Sequence, residues 1–179
     1  MSRAVAPVVS TILMVAIAVI LAAVLSMFAL GFTEDVDDAA PVVGQSSGAF
    51  EAFQSGSDEQ IVTIRHVAGD DVSVDEMEVA VSATCNDGTK RGRLVNLPLD
   101  SNRIEQSNIE GADIFDNRYD TGYSWDLGAL KAESFTAGEK VEFRIPGGEC
   151  TVPQNGVVTV RVVHVPTNAV VITQELTAR

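Results

Sequence analysis

Ala4–Thr33 reads AVAPVVSTILMVAIAVILAAVLSMFALGFT, thirty residues without one charged side chain. As a helix, Pro7 to Phe32 would run roughly 39 Å at 1.5 Å per residue. That exceeds the ~30 Å hydrocarbon layer of a bilayer and allows one tilted crossing. Pro7 falls in the first turn, where N–H groups have no intrahelical partner and proline does no harm. Gly31 supplies a natural end. Glu34 to Asp38 follow, and carboxylates beyond a helix C-terminus oppose its dipole, so they read as solvated spacer. A conventional cleaved signal has a basic start, a shorter apolar run and a small-x-small cut. Here the basic start is a single Arg3 and the apolar run is about twice too long, although Ala29-Leu30-Gly31 offers a weak site of that kind. A plain membrane anchor explains length and hydropathy equally well.

Outward from this segment the pattern changes. Residues 34–57 contain Gly44-Gln45-Ser46-Ser47-Gly48 and Ser55-Gly56-Ser57, interrupted by Phe50 and Phe53, and read as a polar linker that could stop near Gly48 if the phenylalanines pack an edge strand. From residue 58 to 179 the period is that of strands. Ile61–Val67 is β-rich, Met77–Cys85 and Val141–Ile145 alternate, and Val157–Val165 with Ala169–Leu176 flank the turn Pro166-Thr167-Asn168. Ser101–Tyr123 is irregular and polar, expected to be a loop with one helical turn at most. The fold class expected is α+β: a long N-terminal apolar helix, then a mostly antiparallel β-sandwich-like domain.

The formal charge is −13 with a pI near 4.4, and lysine is scarce. Such a surface disfavours nucleic acid, whose binding needs cations to replace phosphate counterions. It equally disfavours docking of the β domain on anionic lipid. The acidic, lysine-poor composition resembles proteins of salt-loving archaea, in which ~1 M salt shortens the Debye length to about 3 Å.

Little in the chain suggests chemistry. Cys85 and Cys150 end strand-like runs, and in an exported domain a pair points to a disulfide, two separate thiols being the alternative. Asp70-Asp71 with Asp75-Glu76, and Glu34-Asp35 with Asp37-Asp38, lack the spacing of a calcium loop and read as solvated turns. His66 and His164 lie in strand-like runs and read as structural. No nucleophile elbow, phosphate loop or metalloprotease helix is present. No enzyme activity, metal or cofactor is expected. Tyr119, Tyr123 and Trp125 could present rings to a surface, with Trp125 as a core anchor the plainer reading. There is no Asn-x-Ser/Thr sequon, so sequon-linked sugars are not expected.

One more feature lies in residue order. Arg3-Ala4-Val5-Ala6-Pro7-Val8-Val9, then Thr11-Ile12-Leu13-Met14-Val15-Ala16-Ile17-Ala18-Val19-Ile20-Leu21-Ala22-Ala23-Val24, resembles the start of haloarchaeal type IV pilins. Those open on Ser-Pro-Val-Ile-Gly and continue Ile-Leu-Met-Val-Ala-Ile-Thr-Val-Ile-Leu-Ala-Ala-Val. The chain departs at Ala6, at Val9-Ser10 and at Ala18. The resemblance implies a class III signal peptide, residues 1–4, with Arg3 and Ala4 before the cut and Val5 as the new N-terminus. It further implies that helix 5–33 is retained as a transmembrane and filament-core element, with Pro7, Ile12, Leu13, Met14, Ala16, Ile17, Ile20 and Ala23 in helix assembly. Small residues, Ala16, Ala18, Ala22, Ala23 and Ser26, permit close helix approach. The partners implied are a prepilin peptidase, a pilus assembly ATPase with its membrane platform protein, the membrane and further copies of the pilin; no nucleic acid is expected. The function implied is that of a structural filament subunit serving adhesion and cell contact, with a β head outside the cell. The alternative is a membrane-anchored surface protein whose β domain binds a ligand and never polymerises.

Overall fold

The computed structural model describes residues 5–31, 39–52, 59–116 and 127–178. The chain divides into two units, Met1–Ala39 and Ala40–Arg179.

The first unit holds α1, Val5–Gly31. Ala and Val, followed by Leu, Ile and Met, dominate it, and in this apolar run no proline follows Pro7 to break the ladder. Two of its hydroxyls are satisfied on the helix itself: Thr11 Oγ1 donates to the Val8 carbonyl at 2.9 Å, and Ser26 Oγ to the Ala22 carbonyl at 2.8 Å. The helix begins two residues before Pro7 and closes at Gly31. Glu34–Asp38 lie outside the described residues.

The second unit is built from strands β1 Gln45–Glu51, β2 Glu59–Ala68, β3 Val72–Ser73, β4 Met77–Cys85, β5 Gly88–Leu94, β6 Ile109–Gly111, β7 Ser134–Phe135, β8 Lys140–Pro146, β9 Val157–His164 and β10 Ala169–Thr177. They form a three-stranded sheet β1-β2-β8, a five-stranded sheet β10-β9-β4-β5-β6 and a small pair β3-β7. Their ladders are antiparallel. The period-2 pattern decides which side is buried. Val62 and Ile64 of β2, with Val141, Phe143 and Ile145 of β8, share one apolar cluster with Met77, Val79, Val81 and Ala83 of β4 and Val158, Val160 and Val162 of β9. The α+β expectation of one long apolar helix followed by a mostly antiparallel, sheet-rich domain describes this architecture. β9 and β10 form the C-terminal hairpin, with Asn168 at φ 52° in its turn.

Two segments differ from their sequence reading. Within 34–57, read as linker, Gln45–Glu51 is the edge strand β1, paired with β2 from Gln45↔Ala68 to Glu51↔Ile61. Its small residues provide clearance. A Cβ on Gly48 would stand 2.6 Å from Leu176 Cδ2 and 3.2 Å from Ile64 Cδ1. Gln174 Nε2 of β10 donates to the Ser46 carbonyl at 3.1 Å, tying the two edges together. Phe50 packs against the core, while Phe53 lies outside the described residues.

The second segment is Ser101–Tyr123, expected to be a loop. It contains a 3-10 turn at Gln106–Asn108, then β6, which extends the five-stranded sheet. Ile104, Ile109, Ile114 and Phe115 are buried, and Phe115 meets Phe143 edge to face at 5.4 Å between ring centres. Such spacing matches neither the strand nor the helix period, which hides it from pattern reading. Asn108 is the polar pivot. Its Nδ2 donates to the carbonyls of Val95 and Asn96 at 3.2 and 3.0 Å, and its Oδ1 accepts the Glu105 N–H at 3.1 Å.

Gln60 and His66 occupy inward positions of β2 that alternation would assign to apolar side chains. Gln60 is fully buried and bridges to the segment after β8. Its Nε2 donates to the carbonyls of Cys150 (2.7 Å) and Ile145 (3.2 Å), and its Oε1 accepts the Val152 N–H at 2.9 Å. Gln60→Leu keeps the volume but strands these buried backbone groups. It is expected to cost roughly 3 kcal/mol and to lower the melting temperature by about 10 °C. Thermal unfolding of the variant measures it, and an unchanged midpoint would refute the bridge. His66 bonds through Nδ1 to the Phe135 carbonyl at 3.1 Å and stacks edgewise on the Phe135 ring. A carbonyl only accepts, so Nδ1 carries the proton. His66 Nε2 is buried with no partner among the described residues.

Candidate functional site: the exposed apolar helix

From Val8 to Met27 every residue of α1 is exposed, although nearly all are apolar. Met14 is 75% and Ile12 64% exposed. Burying a side chain of this kind is worth about 1.5–3 kcal/mol, so an uncovered helix of this composition is far from equilibrium in water. A helix that is apolar all round belongs inside a membrane or a protein core. Val8–Met27 is also long and apolar enough to cross a bilayer by length and composition. The whole 27-residue helix is about 40 Å long.

Of the sequence-derived positions, Arg3 and Ala4 lie outside the described residues, Val5 opens α1, and Pro7 falls in its first turn. Ile12, Leu13, Met14, Ala16, Ile17, Ile20 and Ala23 are all on α1 and exposed. At about 100° per residue all of them but Met14 fall within about 140° of arc. The same geometry sorts the helix by side-chain size. Thr11, Val15, Ala18, Ala22 and Ser26 fall within about 80° of arc, and Leu13, Ile17, Ile20, Val24 and Met27 fall opposite. Ala18, Ala22 and Ser26, four apart, form the narrow stripe through which another helix can approach closely. Ala16 and Ala23 sit seven apart on a different line.

The β unit holds the other candidates. Cys85, at the end of β4, and Cys150, after β8, are joined as a disulfide with Cα atoms 5.2 Å apart and both residues buried. Beside it, Lys90 forms an ion pair with Asp87 at 2.8 Å, and this bond holds the exposed Asp87 carboxyl below its ordinary range. Asp70 Oδ2 accepts the Val42 N–H at 3.0 Å, serving a backbone group. His164 contacts Thr167 Oγ1 through Nδ1 at 2.8 Å and lies 3.4 Å from Glu76 through Nε2. Among the described residues no three His, Cys, Asp or Glu side chains are grouped to hold a metal ion. Tyr119, Tyr123 and Trp125 lie outside the described residues.

An uncovered apolar helix joined in sequence to a sheet-rich, disulfide-closed domain defines a class: subunits whose helix lies in a membrane or among sister helices. Residues 3–44 match the family model described as archaeal type IV pilin, N-terminal. The match takes in α1 and ends one residue before β1. No curated protein matches the chain. Helix and match together support a type IV pilin-like subunit, held at a membrane and exposed at the surface, working with other pilin subunits and pilus machinery.

Proposed function

We propose that the chain is a structural pilin of an archaeal type IV pilus-like filament. A prepilin peptidase cuts between Ala4 and Val5. α1 then holds the subunit in the membrane until the assembly ATPase and its platform protein draw it into a filament. Extraction from lipid re-exposes the apolar surface of α1, and packing against sister helices buries it again. The head domain is extracellular and serves adhesion and cell-to-cell contact. The observation that carries this reading is the coincidence of the family match with a helix exposed from Val8 to Met27.

Sequencing the N-terminus of protein recovered from sheared filaments tests it, with Val5 expected first. An intact Met1, or a start near Phe32, would sink the proposal. A second reading, a membrane-anchored surface protein that never polymerises, draws on the fact that lipid alone satisfies a helix apolar on all sides. Electron microscopy separates the two, because a non-polymerising anchor is absent from sheared filaments.

A further inference from the structure

The two main sheets have four outer strands, and two of these are closed. Beside β8 the chain continues the ladder: Val141 bridges to Gly128, the Glu142 N–H donates to the Leu127 carbonyl at 3.4 Å, and the Asp116 N–H to the Arg144 carbonyl at 3.0 Å. β6 is three residues long and offers little edge to pair with. β1 and β10 differ. They are the outer strands of the two sheets where these meet, seven and nine residues long. Ser46 accepts bonds from Gln174 Nε2 at its carbonyl (3.1 Å) and its hydroxyl (2.8 Å). Among the described residues no other hydrogen bond links the two strands.

Alternate residues of an antiparallel strand turn both N–H and C=O away from the partner strand. From Ser47 to Glu51 and along β10, the groups so turned meet no other backbone group among the described residues. Edges of this kind are commonly guarded by lysine, proline or a bulge. β1 reads QSSGAFE and β10 AVVITQELT, with neither proline nor a cation. Each has one irregularity near its start, at Gln45/Ser46 and at Val170/Ile172, which leaves the remainder regular. Ser46 meets Gln174 and Gly48 lies against Leu176, so the strands run in the same direction. Between them is a cavity of about 400 Å³ lined by Gly48, Ala49, Phe50, Glu175, Leu176 and Thr177; for scale, an apolar cavity of about 150 Å³ holds benzene. The charged side chains on the two strands are Glu51 and Glu175, while Arg65 and Arg161 lie one strand further in, opposite Ser47 and Thr173.

We infer that this seam takes an extended strand of a partner protein by β-addition. The strand pairs antiparallel with β1 along Ser47–Glu51, sends an apolar side chain between Phe50 and Leu176, and carries lysine or arginine at alternate positions. Open backbone donors and acceptors at ladder spacing are matched by another polypeptide strand, with side-chain pockets setting which strand. The phenylalanine and leucine in the cavity wall favour an apolar residue at every second position. A chain of net charge −13, whose edge strands carry carboxylates alone, repels an acidic strand and disfavours a second copy of itself. The seam lies wholly within the β unit, so the inference holds whether or not the chain polymerises.

The test titrates the full-length nitrogen-15-labelled chain, in uncharged detergent micelles, with a capped eight-residue peptide alternating valine and lysine. Amide resonances of Ser47–Glu51 and Glu175–Thr177 are expected to shift, and hydrogen exchange along Ser47–Glu51 to slow about tenfold or more. The same peptide N-methylated at two adjacent central residues is blocked on both its edges and should bind at least about tenfold more weakly. So should a peptide alternating valine and glutamate. Ala49→Lys with Thr177→Lys gives the seam the guard that closed edges carry, and should weaken the valine-lysine peptide by about tenfold. Glu110→Lys on β6, an equal change in net charge, should not. Thermal unfolding verifies that each variant is folded. Absence of shifts at the seam, equal binding of the N-methylated or glutamate peptide, or indifference to the two lysines would overturn the inference. So would the same resonances shifting as the chain alone is concentrated, which would assign the seam to a second copy.

Discussion

Ile17→Lys is expected to remove the protein from sheared filaments and to weaken its hold on the membrane. Ile17 lies near the middle of α1 and is exposed on its bulky stripe, so under the proposed function it meets lipid before assembly and neighbouring helices after it. A lysine at the centre of a membrane helix costs about 3 kcal/mol on insertion scales, which is a factor of roughly 150 in an equilibrium. In a packed helix core the charge has neither water nor an acidic partner, because α1 contains no carboxylate. Ile17→Leu keeps size and hydropathy and should leave filament yield within about twofold. The measurement is filament protein per cell by quantitative immunoblot, beside the membrane-fraction content. Normal filaments from the lysine variant would show that α1 is not the assembly element. Loss from filaments with full membrane retention would place the effect in helix packing rather than insertion.

The second large effect is expected in the β unit. Cys85→Ala with Cys150→Ala opens a loop closed across 65 residues of sequence. The chain-entropy relation gives about 4 kcal/mol for such a loop. For a unit of this size that is a fall of roughly 13 °C in melting temperature. The Gln60 bridge ends on the Cys150 carbonyl and the Val152 N–H, so the disulfide and this bridge anchor the same segment. Their losses should therefore be non-additive: once the disulfide is gone, Gln60→Leu should cost less than in the wild type. Differential scanning calorimetry of the two variants and their combination reads this directly. Full additivity would mean that disulfide and glutamine act independently.

Legibility in the sequence followed physical range. α1 was readable because its signal is local: an uncharged run long enough for a bilayer, a proline where the first turn tolerates it and a glycine at the end. β4, β8, β9 and β10 were readable because alternate residues face one core, a period visible in a single strand. β1 was harder, since Gln45–Ser47 and Gly48 look flexible by composition and become a strand only by pairing with β2, whose partner residues lie further along the chain. Ile104, Ile109, Ile114 and Phe115 were missed because the five-residue interval between the isoleucines matches neither the strand nor the helix period. Gln60 and His66 gave no signal of their own, as a polar residue at an inward position is intelligible only when its partners, distant in sequence, are known.

By itself the sequence determined that an apolar helix precedes a β-rich acidic unit, because hydropathy and period are properties of neighbours along the chain. The order of residues in that helix also determined the family resemblance. Only the tertiary structure decided how the strands pair, that Cys85 and Cys150 meet, and that Gln60 ties β2 to the segment after β8. It also decided that Arg91 and Arg161 share one face. Those relations join residues far apart along the chain, and proximity of that kind is set by the closing of the sheets around a common core.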